Sequence, residues 1–148
     1  MKLSLSTLAV PVLAALSLAD AAYLSILHWR GEIPPCGGYA GCETVNTSPF
    51  AEIFGIPVAA LGMALSAAIL AIAIYRLRAL PGQTWLYATL ALYALVLSAA
   101  LFLVYLTGVE FTVLHAVCYW CLAMTAMVIA MLVIVMRDIW IYAEKTAT

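Results

Sequence analysis

The sequence predicts an all-α integral membrane protein, a four-transmembrane-helix bundle with an outer loop and a short interfacial helix between helices 1 and 2. Three observations predict it. The 148 residues are 68% apolar and only 9% charged, whereas an ordinary soluble domain is about half apolar and roughly a quarter charged. No soluble core of that size encloses so much apolar side chain, so lipid must be its solvent. Four apolar runs, at about 5–27, 55–75, 85–106 and 112–142, each reach the roughly 20 residues that cross ~30 Å of hydrocarbon. Finally, the few Lys and Arg residues are segregated by side. Net charge is −1, with no basic stripe for a nucleic acid.

The first run follows Lys2 and contains Ala19-Asp20-Ala21, which also resembles a secretory signal with its cleavage site. Its apolar stretch outruns the usual 7–15 residues of such a signal, so it reads as a true first helix. The fourth run is too long for one crossing. At ~1.5 Å per residue, the stretch from Cys118 to Met136 already spans the core. The first turns of that helix should therefore stand above the lipid, with Cys118 and Cys121 near the boundary. Ala, Gly and Ser within the runs suit close helix approach in lipid. No repeat or low-complexity linker interrupts the chain, and residues 1–148 read as a single membrane domain.

Positive charge near helix ends orients such a bundle. Lys2, Arg76, Arg78, Arg137 and Lys145 fall on one side and only Arg30 on the other. That bias puts both termini and the 76–84 loop in the cytoplasm. The 28–54 loop and the short 107–111 loop then face outward. Trp29, Tyr119 and Trp120 suit an outer aromatic belt; Trp85, Trp140 and Tyr142 suit an inner one.

The chemistry lies in four cysteines, Cys36, Cys42, Cys118 and Cys121. Two close pairs suit disulfides or one metal site, and on the outer side of a membrane disulfides form and persist. Cys118-Tyr119-Trp120-Cys121 is a C-x-x-C near a helix start. Positions three apart share a helix face, and free amides at that end favour a thiolate. A disulfide there closes a tiny loop and gains little chain-entropy stabilisation, so ready reduction and re-formation is its advantage. Cys36 and Cys42 enclose Gly37, Gly38 and Gly41 after the stiff Pro34-Pro35. That composition suits a mobile shuttle better than a rigid staple. Two structural disulfides, or one zinc bound by all four thiolates, are the competing readings.

Beyond Cys42, Ser48 before Pro49 reads as an N-cap with Pro at the first helical position, and Glu52 sits near the favourable end. Gly55 and Pro57 end this short helix before the second spanning one, leaving a lid along the interface.

The pattern C-x5-C-x5-Ser48-Pro49-Phe50-x3-Phe54-Gly55-Ile56-Pro57-Val58, followed by the C-x-x-C at 118–121, resembles the vitamin K epoxide reductase family in its prokaryotic form, over nearly the whole chain. The resemblance implies a relay. The loop pair takes electrons from a thioredoxin-like or DsbA-like protein outside the membrane, and the helical pair passes them to a quinone (ubiquinone or menaquinone) in the bundle, without a metal. By position, Cys36 meets the partner, Cys42 exchanges with Cys118, and Cys121 faces the quinone. Ser48 matches a loop serine that the family places close to the site.

A quinone is apolar, so its site should be a pocket at membrane depth. Phe50, Phe54, Phe111, His115 and Thr125 are candidates to line it. His115 lies one turn before Cys118 in the expected helix and suits thiolate support or proton transfer to the quinone. Asp20, a carboxylate inside the first helix, suits a proton role or a polar contact across the bundle. Vertebrate members place an asparagine and a tyrosine where this chain has Ala51 and Thr125, which favours a plain quinone over an epoxide as acceptor. The chain ends too soon for the thioredoxin-like domain fused in some prokaryotic members, so the partner is expected to be a separate polypeptide. A DsbB-like oxidase of different lineage is the nearest enzymatic alternative, but its C-x-x-C comes first and its loop pair second. The reading is a quinone-dependent thiol–disulfide oxidoreductase that supports disulfide formation.

Overall fold

The computed structural model describes residues 5–36, 41–80 and 82–147. Four long helices dominate: α1 (Leu5–Arg30), α3 (Val58–Arg78), α4 (Gln83–Val109) and α5 (Tyr119–Ala147). Each is long and apolar enough to cross a membrane. Such segments must form helices, because no water in hydrocarbon satisfies exposed backbone groups. α1 and α4 each pack against both α3 and α5, so the four helices close into a ring with α1 diagonal to α4. Small residues at Ala14, Ser17, Ala73, Ala99 and Ala100 are buried where helices meet, which lets the backbones approach closely. Pro11 sits inside α1.

The bundle is unevenly filled. Val10, Ile69, Leu92, Val96, Met131 and Val135 form a continuous buried core through one half. Arg76 closes that end. Its Nη1 lies 2.9 Å from Asp138 Oδ2, and its guanidinium sits 5.8 Å from the Trp85 ring centroid. The approach to Asp138 is close in distance but lacks hydrogen-bond geometry, so charge rather than a directed bond holds the pair. Trp85 also packs against Tyr142, with ring centroids 5.0 Å apart.

The other half carries the irregular elements. α1 ends with the Gly31 amide donating to the His28 carbonyl and the Glu32 amide to that of Leu27, the double closure that satisfies orphan carbonyls at a helix end. A short helix, α2 (Gly41–Asn46), follows. Next come a single 3-10 turn, Pro49–Ala51, and a two-stranded hairpin of β1 (Glu52–Ile53) and β2 (Ile56–Pro57). The expected interfacial helix is thus one turn long. Ser48 does precede Pro49 as the cap residue, but its hydroxyl donates to the Val45 carbonyl and caps no amide. Phe54 and Gly55 make the hairpin turn with φ of 52° and 78°, the left-handed pair that a two-residue turn demands and that glycine supplies without steric cost.

The third connection differs most from expectation. Residues 107–111 form no loop, and no helix begins at 112. α4 runs on into a π-helical turn, Glu110–Leu114. His115 then breaks the helix at φ 46°, residues 115–118 cross without regular secondary structure, and α5 begins only at Tyr119. The apolar run at 112–142 contains no Gly or Pro to mark this break, so hydropathy merged two helices' ends into one segment.

Candidate functional site

The site is assembled where α2, the 115–118 crossing and the start of α5 converge. Cys118 is the residue before α5, and its carbonyl accepts the first helical hydrogen bond, from Leu122 N–H at 2.9 Å. Its sulfur accepts from Cys121 N–H at 3.4 Å. Those are the two bonds of a helix N-cap, so the C-x-x-C spacing sets one cysteine as the cap of the other's amide. The Cys118 thiol is held below its ordinary range, chiefly because the Cys121 side chain hydrogen-bonds its sulfur. The Cys121 and Trp120 amides reinforce the shift, while burial and the nearby Glu110 charge oppose it.

Three contacts dock the loop onto this helix start. Cys36 and Cys42 are joined in a disulfide, whereas Cys118 and Cys121 are free thiols. Asn46 Nδ2 donates to the Cys42 carbonyl at 2.9 Å and to Cys118 Sγ at 3.9 Å. Trp120, expected in the aromatic belt, stacks on Tyr23 with ring centroids 5.0 Å apart and donates from Nε1 to the Pro35 carbonyl at 3.2 Å. Gly41 presses on the crossing: a Cβ there would overlap the Val117 carbonyl oxygen and lie 2.9 Å from the Val117 nitrogen. This glycine serves close approach rather than mobility. Gly37 and Gly38, the rest of the expected mobile segment, lie outside the described residues. Cys42 and Cys118 are both fully buried in consequence.

Behind Cys121 lies a cavity of ≈ 170 Å³, lined by all four long helices and by the loop. An apolar cavity of about 150 Å³ holds a benzene ring, so the space suits one ring. Its walls are apolar, and its floor is Ile69, Ala99 and Val128, where the packed core begins. Ser48, Asn46, Thr125 and Glu110 bring polar atoms to it. Thr125 donates to the Cys121 carbonyl at 2.9 Å, and its hydroxyl lies 3.3 Å from that of Thr107. At the rim, His28 Nε2 lies 3.0 Å from Glu52 Oε1 and ties the end of α1 to the hairpin.

The model of the vitamin K epoxide reductase family matches residues 8–136. The chain belongs to that family. A comparison with curated proteins finds no match. Members of the vitamin K epoxide reductase family are quinone-linked thiol–disulfide oxidoreductases, so the chain is an oxidoreductase carrying the cysteines for that chemistry. Among the described residues, no three His, Cys, Asp or Glu side chains converge as a metal site would require.

Of the residues singled out in the sequence, Ser48, Phe50, Thr125 and Cys121 border the cavity. Phe54, at the hairpin tip, is fully exposed, and Phe111 and His115 point outward from the π turn and its end. None of these three lines the cavity. His115 is not one helical turn before Cys118, because no helix joins them. Asp20 also lies away from the cavity, with a buried Oδ2 that has no hydrogen-bond partner among the described residues.

Two residues went unnoticed in the sequence. Asn46 gave no signal, being one polar residue among several in a loop. Glu110 looked like a solvated loop residue but is 3% exposed. Its Oε2 accepts from Cys118 N–H at 3.2 Å, its side chain lies beside that of Cys121, and its backbone carbonyl accepts from Ala116 N–H. Its one advance signal was a carboxylate only two residues before the apolar run at 112–142, where charge is costly and marks function.

Proposed function

We propose that this chain, as one membrane domain over residues 1–148, is a quinone-dependent thiol oxidase. It reoxidises a thioredoxin-like dithiol carrier outside the membrane and thereby supports disulfide formation in exported proteins. One observation carries the reading: the two sulfurs of the C-x-x-C face different places. Cys118 is buried beside the helix that bears Cys42, and Cys121 opens on a ring-sized apolar cavity. A quinone head group fits that space, with apolar walls for its ring and the Asn46 side-chain amide on the wall as a donor for one of its oxygens. The quinone is the terminal oxidant, taking two electrons and two protons.

The chain's own residues supply the rest. A carrier thiolate attacks Cys36 and frees Cys42. The carrier's second thiol resolves that mixed disulfide and leaves oxidised. Cys42 attacks Cys118 of the Cys118–Cys121 disulfide, and Cys36 then closes the loop bond again, leaving Cys118 and Cys121 reduced. The depressed Cys118 thiol supports this step twice. It leaves readily when Cys36 attacks Cys42 of the Cys42–Cys118 mixed disulfide, and it stays ionised for the return attack on Cys121. A bonded loop pair with two free helical thiols corresponds to the stage just before electrons reach the quinone. The bias of Lys and Arg supports cytoplasmic termini and outer cysteines.

The test is quinol formation by the purified, reduced protein with ubiquinone-1. Wild type reduces the quinone at least 10-fold above a protein-free blank, and Cys121→Ala does not. Equal rates for wild type and blank would overturn the oxidase reading. In Cys121→Ala the trapped species should be Cys42–Cys118 by mass spectrometry; Cys36–Cys118 alone would reverse the roles of the loop pair.

A further inference from the structure

We propose that Glu110 is the proton acceptor for Cys121, taking the thiol proton as the Cys118–Cys121 disulfide forms and delivering it to the quinone. The inference rests on the oxidase reading above and adds a residue to it. Glu110 is a carboxylate in a spanning helix, 3% exposed, where burial of charge is expensive and tolerated mainly for function. It is held in place at three points. Its Oε2 accepts the Cys118 amide at 3.2 Å, its backbone carbonyl accepts the Ala116 amide at 3.0 Å, and the π turn begins at this residue. π-helical turns occur frequently at functional sites. With one oxygen engaged by a backbone amide, the carboxyl lies beside the Cys121 side chain, and the residue borders the cavity that Cys121 opens on. No other carboxylate among the described residues lines that cavity. His115, the expected proton donor, is exposed and outside it.

The step balances as follows. Cys118 thiolate bonds to the Cys121 sulfur while the Cys121 S–H bond breaks. Two electrons pass from the two sulfurs to the quinone. The Cys121 proton moves to Glu110 and on to a quinone oxygen. The second quinol proton comes from water and replaces the one released earlier when Cys118 ionised. Glu110 ends as it began, a carboxylate.

Glu110→Gln is the informative substitution, because its side-chain carbonyl still accepts the Cys118 amide while proton transfer is lost. General acid–base assistance contributes typically 10²–10⁴-fold. With purified reduced protein and ubiquinone-1, kcat should fall at least ~100-fold with KM unchanged within about 3-fold. Glu110→Asp should regain at least ~10-fold of that loss. A second readout is independent of turnover. Alkylation of Cys121 by N-ethylmaleimide at pH 7 should accelerate in Glu110→Gln, because the like charge beside the sulfur is gone. Saturating quinone should still protect Cys121, as only an intact cavity allows. A kcat for Glu110→Gln within 3-fold of wild type overturns the proposal while leaving the oxidase intact. So does joint loss of kcat, KM and quinone protection, which marks a structural role. A wild type that reduces no quinone overturns both.

Discussion

The two halves of the bundle are built on opposite principles. Around Arg76 the helices are solid: Val10, Leu92, Val96, Met131 and Val135 leave no exposed surface worth the name, and one ion pair closes the end. Beyond Ile69, Ala99 and Val128 the same four helices part around a void, and every reactive group lies there. Small side chains at Gly62, Ala21 and Ala59 on the cavity wall give up packing that the other half retains. Stability and chemistry are thus separated along the helix axes. The solid half packs the helices together, and the hollow half places sulfur and carboxylate.

That division breaks most deeply at the ion pair. Removing one partner of a buried pair costs about 3–5 kcal/mol, because the other charge is left uncompensated. Asp138→Ala should lower unfolding free energy in detergent by that amount while the quinone KM holds. Pairing it with Arg76→Met should recover most of the loss. A shifted KM with unchanged stability would show that the halves are not separate.

The hollow half breaks next, at the loop. Gly41→Val forces a side chain into the Val117 backbone and lifts α2 away from Cys118. A displacement of about 1 Å can cost 10²-fold, so carrier-driven oxidation should fall about 100-fold. Quinone reduction by protein whose Cys118–Cys121 pair was reduced chemically should persist. Equal loss of both would mean that Gly41 supports the fold and not the exchange.

A smaller effect sharpens the picture at Cys118. Its thiol is depressed mainly by the Cys121 side chain. In a variant lacking Cys36 and Cys42, its reactivity with iodoacetamide should persist below the ordinary thiol range near pH 8.5 and fall only as pH drops through the lowered value. Adding Cys121→Ala removes that hydrogen bond and should move the profile to higher pH. An unmoved profile would assign the depression to the helix amides alone.

Much of this arrangement was legible in the sequence, and the reasons for the remainder are physical. Hydropathy identifies lipid-crossing helices because lipid selects on apolar length, and cysteine spacing shows which sulfurs share a turn. Neither reports a helix that ends without Gly or Pro, as α4 does at His115. That error moved Glu110 into a supposed loop and set His115 on a helix face it does not share with Cys118. Gly41 was read as flexibility because composition records the lack of a side chain, whereas only tertiary structure records what fills its place. Phe54 and Phe50 look equivalent in the sequence. The hairpin turn between β1 and β2 sends Phe54 outward and leaves Phe50 on the cavity.

Trp120 sits between the two helical cysteines and donates its ring N–H to the residue before Cys36. The contact makes that indole an optical gauge of whether the loop is seated. Trp85 lies at the far end beside Arg76, packed on Tyr142, and Trp140 bonds Glu144 in the last turns of α5, so both are remote from the loop. Undocking of the loop would take the carbonyl acceptor from Trp120 and change its fluorescence. Such a change would be readable in a stopped-flow instrument without a label.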